Sequence, residues 1–230
     1  MKWISDVAGL LFPEACAICA AETRKAESGI CQSCRAELPV VLSRPLDNHL
    51  PMMRKFEGIL PIDQAFSFLQ YTKSGNTQEL LHALKYGRRP EIARQLGMMM
   101  AMEMLERGLV HKPDLILPVP MHPEKQAQRG YNQAMEFAGG LAAVFKSEVS
   151  DSILLKRRKT ETQTRKSKLS RLLNVEEVFV LHPENSFQLP GKSVWLVDDV
   201  LTTGSTMLAS ASILCEQPIS KLGIATIAMA

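Results

Sequence analysis

The 230-residue sequence predicts an α/β fold: a parallel sheet flanked by helices, preceded by a small four-cysteine module. Three features predict it. Short apolar runs alternate with helical patterns from about residue 64 onward, which implies a parallel sheet with helices on both faces. Four of the five cysteines form two close pairs near the N-terminus. One apolar strand ends in two carboxylates, followed by a loop of hydroxyl residues with one glycine.

Composition bounds the function. Hydrophobic residues make up 46% and charged residues 22%, which excludes wholesale disorder. The formal net charge is +3, from 27 basic and 24 acidic side chains. So small an excess does not mark a nucleic-acid binder, and any basic site must be local. No apolar run approaches the roughly 18 residues of a membrane-spanning helix. Trp3, Ile4, Val7, Leu10 and Leu11 share one face of a short N-terminal helix, expected to dock on the body. Asp6 interrupts that stretch, and no small-residue cleavage site follows it, so no export is expected. The expectation is a cytoplasmic chain without membrane insertion.

The cysteine pairs are Cys16-Ala-Ile-Cys19 and Cys31-Gln-Ser-Cys34. Two such knuckles can supply four thiolates in the tetrahedron that zinc prefers. Metal binding also explains how so short a segment with few large apolar groups folds. A redox dithiol would need only one pair. Cys215 falls in a helical pattern and reads as a core thiol.

The elements follow in order. Residues 1–60 form the zinc module and an irregular connector punctuated by Pro45, Pro51 and Pro61; residues 61–230 form the second domain. Ala65 to Tyr71 reads as a strand. Thr77 to Tyr86 and Glu91 to Leu109 read as helices, broken by Gly87 and Pro90. Met98, Met99, Met100, Met102 and Met104 read as packing filler in the second. Leu115 to Val119 is a buried strand, and Asn132 to Phe145 a helix. Ile153 to Leu155 and Val178 to Leu181 are short strands. Val194 to Val197 is a stronger strand, Ser205 to Cys215 a helix, and Ile224 to Ile227 the last strand.

The segment from Val194 to Thr206 carries the sharpest chemistry. Ligands of open α/β sheets bind at the carboxyl ends of strands, where Asp198 and Asp199 lie. Backbone N–H groups of the following loop, aided by the positive end of the helix, can cradle a phosphate. Thr202, Thr203, Ser205 and Thr206 add hydroxyl donors, and Gly204 lets the backbone approach closely. The paired carboxylates can accept from two vicinal ribose hydroxyls and help hold a magnesium shell. A plain acidic turn capping a helix would not need this many hydroxyls.

This stretch resembles the phosphoribosyl-diphosphate (PRPP) motif of type I phosphoribosyltransferases. The resemblance implies that Asp198 and Asp199 are the catalytic pair on the ribose, and that Thr202 to Thr206 surround the 5-phosphate. Leu117-Pro118-Val119-Pro120, then Arg129-Gly130-Tyr131-Asn132-Gln133, then Arg157, Thr160, Gln163, Arg171 and Asn174, narrow the match. Their order is similar to the ComF/GntX group of competence-associated proteins, which also carries a four-cysteine module. That resemblance implies Mg with PRPP, structural Zn, and a role in natural transformation. There the chain would handle single-stranded DNA on the cytosolic side, with other DNA-uptake proteins as partners. An active transferase on an unnamed acceptor, or a PRPP-sensing regulator of nucleotide metabolism, is the alternative.

In the resembling fold the loop at Val119 faces the pyrophosphate; Arg129, freed by Gly130, is read as contacting that group, with an ordinary proline-punctuated turn as the other reading. His122 is read as an acid or base, or as an ordinary exposed loop residue. Lys85 is read as reaching the site or as partner to its helix dipole. Lys156 to Arg171 holds eight basic residues and one acid, Glu161. It is read as a solvated loop, as the lid of such enzymes, or as a nucleic-acid surface through Arg157, Arg158, Lys159, Lys166, Lys168 and Arg171. The run has no aromatic residue, so base stacking would draw on Tyr131 or Phe179.

Overall fold

A computed structural model describes residues 15–23, 29–42, 52–73, 75–108, 111–157 and 178–230. The expected N-terminal helix and most of the basic run, including Arg158, Lys159, Lys166, Lys168 and Arg171, lie outside these residues.

The sheet has five parallel strands: β1 (Gln64–Gln70), β2 (Leu115–Pro118), β3 (Glu148–Val149), β6 (Ser193–Leu201) and β7 (Lys221–Met229), in the order β1-β7-β6-β2-β3. The central strands are buried on both faces, which is why they read as continuous apolar runs rather than alternating ones. Two strands differ from the expectation. β4 (Leu154–Arg157) and β5 (Val178–Leu181) pair only with each other, antiparallel, and form a separate ribbon. Four residues each give no periodicity from which to tell a sheet member from a ribbon.

Alternation along β6 divides the core. Trp195 and Val197 face the helices α2 (Asn76–Tyr86), α3 (Pro90–Glu106) and α5 (Gln133–Phe145); Val194 and Leu196 face α6 (Ser205–Cys215) and the β4–β5 ribbon. The Trp195 ring meets Phe145 edge-on at 5.5 Å and Phe66 at 5.9 Å. Across the strand pair stands Gly223, where any Cβ would strike the indole. Helices α3 and α5 cross at Gly97 and Gly140; a Cβ on Gly140 would strike the Arg94 carbonyl. Glycine therefore sets the depth of that crossing.

The Cys module and connector are built into this core. Cys16, Ile30, Cys34 and Leu38 pack in the same cluster as Ile92 of α3. The described ends of the connector are anchored: Val41 N donates to Phe68 O at 2.8 Å, and Leu42, Met52 and Phe56 are buried. The methionines of α3 divide. Met100 and Met104 are fully buried, as expected of filler, while Met102 is 47% exposed. Met98, Met99 and Met102 line a groove with Arg35, Glu91, Arg94 and Gln95. Cys215 is half-buried rather than in the core, because it closes the last turn of α6.

Candidate zinc centre and anion cleft

The four cysteine sulfurs lie within 4.8 Å of one another. Cys19 Sγ and Cys31 Sγ are 3.7 Å apart. A tetrahedron with Zn–S bonds of 2.3 Å has edges of about 3.8 Å, so the donor set fits zinc. Local backbone builds it. Ala15 and Glu22 bridge antiparallel around the first knuckle, and Cys16 N donates to Ala21 O at 2.7 Å. Cys31 caps the short helix α1 (Gln32–Ala36), which carries Cys34. Burial opposes charge at Cys16, yet hydrogen bonds from the backbone of Cys19, Cys31 and Ile18 bring its thiol down to about 6. Burial pushes Cys34 upward, so metal binding must displace its proton.

The second site lies at the carboxyl ends of β2 and β6. Pro118 pairs with Val197, and Val119 N donates to Val197 O at 2.8 Å. From β2 the chain runs outward through α5 to β3. From β6 it runs the opposite way through α6 to β7. Two adjacent strands whose connections diverge leave a crevice between them, the place where ligands bind in open α/β sheets. A cleft of about 180 Å³ occupies that crevice.

Its walls come from separate segments. Asp198, Asp199 and Thr206 line one side, and Val119, His122, Lys125, Arg129 and Asn132 the other. Lys85 enters from the end of α2 and Lys156 from β4. Asp198 and Asp199 are half-buried. Each carboxylate accepts from the next backbone N–H, Asp199 N at 2.8 Å and Val200 N at 2.7 Å, which fixes both side chains at the strand end. Gly204 has φ +81 and starts α6 without a side-chain cap. Thr203 Oγ1 and Ser205 Oγ are 3.1 Å apart, so the hydroxyls cluster at that helix start. Thr202 and Thr203 are exposed. Lys55 Nζ donates to Thr202 O at 3.0 Å and ties the loop to the connector.

The opposite wall is held by buried polar links. Gln133 is fully buried; its Oε1 accepts from Arg129 Nη1 at 3.1 Å and its Nε2 donates to Leu84 O at 3.0 Å. Tyr131 Oη donates to the same carbonyl at 2.6 Å. Burial pushes the Tyr131 phenol up to about 12.

Several sequence expectations change here. His122 is not a free loop residue: it caps a helix, α4 (Pro123–Arg129), through Nδ1, which accepts from Glu124 N at 3.3 Å, and it lines the cleft. The sequence carried a signal for this helix. Pro123 stands at its first position, Glu124 in its first turn, and Gly130, at φ +83, just past its end. Lys125 and Arg129 are then i,i+4 neighbours and share a face. Lys85 lines the cleft, as one of its two readings held. Arg157 is exposed at the end of β4. Phe179 is not a stacking surface: it is 4% exposed, with Lys156 Nζ 5.6 Å from its ring centre. Tyr131 is half-buried, with its hydroxyl engaged by Leu84 O.

Among the described residues, no helix is long and apolar enough to cross a membrane.

Residues 132–229 match the phosphoribosyl transferase domain, and residues 7–46 match the double zinc ribbon domain. The DNA utilization protein YhgH of Escherichia coli (strain K12) is 30% identical over 203 residues, covering 86% of this chain and 83% of that protein. Competence protein F of Haemophilus influenzae is 28% identical over 148 residues, covering 63% of this chain and 64% of that one. The solved adenine phosphoribosyl transferase of Trypanosoma brucei aligns with a TM-score of 0.40 at 17% identity, over 84% of this chain and 75% of its own. The chain belongs to the ComF/GntX family, with a phosphoribosyltransferase-type domain and an N-terminal zinc-ribbon module.

Proposed function

We propose that this chain binds PRPP with magnesium in the β2–β6 cleft and handles single-stranded DNA on the cytoplasmic side during DNA uptake, together with other DNA-uptake proteins. The charge pattern of the cleft carries the first part. Asp198 and Asp199 stand in one crevice with Lys85, Lys125, Arg129 and Lys156. Such a site suits a ligand that offers hydroxyl donors and several phosphates at once. Asp198 and Asp199 accept from the ribose hydroxyls, and as hard oxygen donors they fit a magnesium shell. Thr202, Thr203, Gly204, Ser205 and Thr206 hold the 5-phosphate through hydroxyls and the first N–H groups of α6. Val119 and Arg129 face the pyrophosphate end.

The names of the relatives supply the DNA part, since they are called DNA utilization and competence proteins. Arg157 opens the basic run toward Arg158, Lys159, Lys166, Lys168 and Arg171, whose charge suits a phosphate backbone. Lys156, at the head of that run, lines the cleft, so the two ligands would meet there.

Calorimetric titration with PRPP, with and without magnesium, tests the reading. Heat of binding that depends on magnesium is expected, and no binding would overturn it. Adding single-stranded DNA or a panel of bases to the loaded protein then separates two roles. Pyrophosphate release with one acceptor identifies a transferase, and binding without release identifies a binding protein.

A further inference from the structure

The described part of the chain holds one exposed aromatic pair beside the cleft cations, and it lies outside the PRPP pocket. Tyr86 closes α2 and is 64% exposed. One turn earlier stands His82, also exposed, with its ring centre 4.8 Å from that of Tyr86 and tilted by 46°. We propose that Tyr86, backed by His82, is a stacking platform for a base of single-stranded nucleic acid whose phosphates run along Lys85, Arg88 and Arg129. The inference rests on the DNA-binding reading above and names the surface that the basic run lacks.

Three observations carry it. The first is charge. Lys85 precedes Tyr86 and points into the cleft, while Arg88 follows it with φ +50. Arg88 Nε comes within 3.9 Å of the position a Cβ would take on Gly130, the residue after Arg129. The nearest acid in sequence, Glu91, is already paired with Arg89 at 2.9 Å. An aromatic face bordered by cations is what a single strand needs, since bases stack on the ring while phosphates track the charges.

The second is rigidity. The end of α2 is not frayed. Leu84 O accepts from both Tyr131 Oη and Gln133 Nε2, and Gly87 N donates to Ala83 O at 2.7 Å. Gln133 in turn holds Arg129. The platform and the cleft cation are therefore fixed relative to each other through one buried side chain. A strand seated on both would lose little affinity to ordering the protein.

The third is cost. A tyrosine this exposed gains little from packing, so its ring has a free surface to offer. His82 packs against it at a 46° tilt, and with that contact in place Tyr86 is still 64% exposed.

Fluorescence anisotropy with labelled oligothymidylate, using the full chain, tests the platform. Tyr86→Ala should weaken binding roughly ten-fold, the loss of about one stacked base. The salt slope should stay unchanged, because no charge is removed. Tyr86→Phe should bind like the parent. A strand of the same length built with abasic sites should bind parent and Tyr86→Ala equally. Calorimetry with PRPP and a melting curve on the same variant should match the parent, which separates the platform from damage to the cleft or fold.

Equal affinity of parent and Tyr86→Ala for oligothymidylate would overturn the platform and leave the DNA reading standing. An equal loss on the abasic strand would also overturn it, since the effect would then not be stacking. If the parent binds no single strand at all, the DNA reading fails and the platform with it.

Discussion

Asn132 Nδ2 donates to Val119 O at 3.2 Å, while Asn132 Oδ1 accepts from Ala134 N at 3.0 Å. One amide thus caps helix α5 and fastens it to the strand end that borders the cleft. The two functions use different atoms of the same side chain, so they can be separated by mutation. Asn132→Ala should cost about 1 kcal/mol, the usual worth of an N-cap, read as a shift in urea unfolding. Asn132→Asp keeps the capping oxygen and should retain most of that stability. It loses the donor to Val119 and adds negative charge on the pyrophosphate side, so PRPP affinity should fall further than stability does. Parallel losses in both variants would show that the link to Val119 does not matter.

The zinc centre should stabilise more than its own module. Cys16 and Cys34 sit in the cluster that also holds Ile92 and Leu96 of α3. Elemental analysis should find one zinc per chain, and Cys34→Ser should abolish it. Chelator should then lower the melting temperature of the whole chain in a single transition. A chain free of zinc and unmoved by chelator would reject the site.

Replacing Asp198 and Asp199 together by Ala should weaken PRPP binding on the order of 100-fold or more, since each lost hydrogen bond to a charged group costs about 1.5–3 kcal/mol. Titration calorimetry reads this directly. Unchanged affinity would mean that the carboxylates are structural.

Arg157, Arg158 and Lys159 replaced together by Ala should flatten the salt dependence of single-stranded DNA binding by about two units, at roughly 0.7 per phosphate contact. Affinity should drop for all sequences alike, because backbone contacts carry no base information. An unaltered slope would leave the basic run as a lid or a solvated loop.

Tyr131 gives the chain an alkaline signature. Burial is the main cause of its raised pKa of about 12; Glu91 and Glu136 push the same way, while Gln133 and Arg129 oppose them. In the folded chain the phenol keeps its proton above pH 10, where an unfolded tyrosine loses it. The stabilising contribution is therefore full below about pH 10 and is lost as pH rises through about 12. Tyrosinate absorbance should show a component with its midpoint near pH 12, and Tyr131→Phe should remove it. If the variant keeps that component, the assignment is wrong.

The sequence alone determined what contiguous residues can carry. Four cysteines at CxxC spacing are legible as a metal site without a fold, because each knuckle is local and four thiolates suit the tetrahedron that zinc prefers. The β6 segment works the same way: strand, carboxylates, hydroxyl loop and helix start are consecutive, so their mutual placement follows from backbone geometry. The parallel sheet was legible because strands buried on both faces are apolar throughout.

Tertiary structure decided which distant segments meet. Lys85, Lys125, Arg129 and Lys156 come to one crevice only because β2 and β6 are neighbours with diverging connections, and nothing near any one lysine encodes that adjacency. The β4–β5 ribbon, the burial of Phe179 and the exposure of Tyr86 depend on packing between elements far apart in the chain. A residue's own neighbours in sequence fix its backbone; whether its side chain meets solvent, a cation or another ring is fixed by what folds against it.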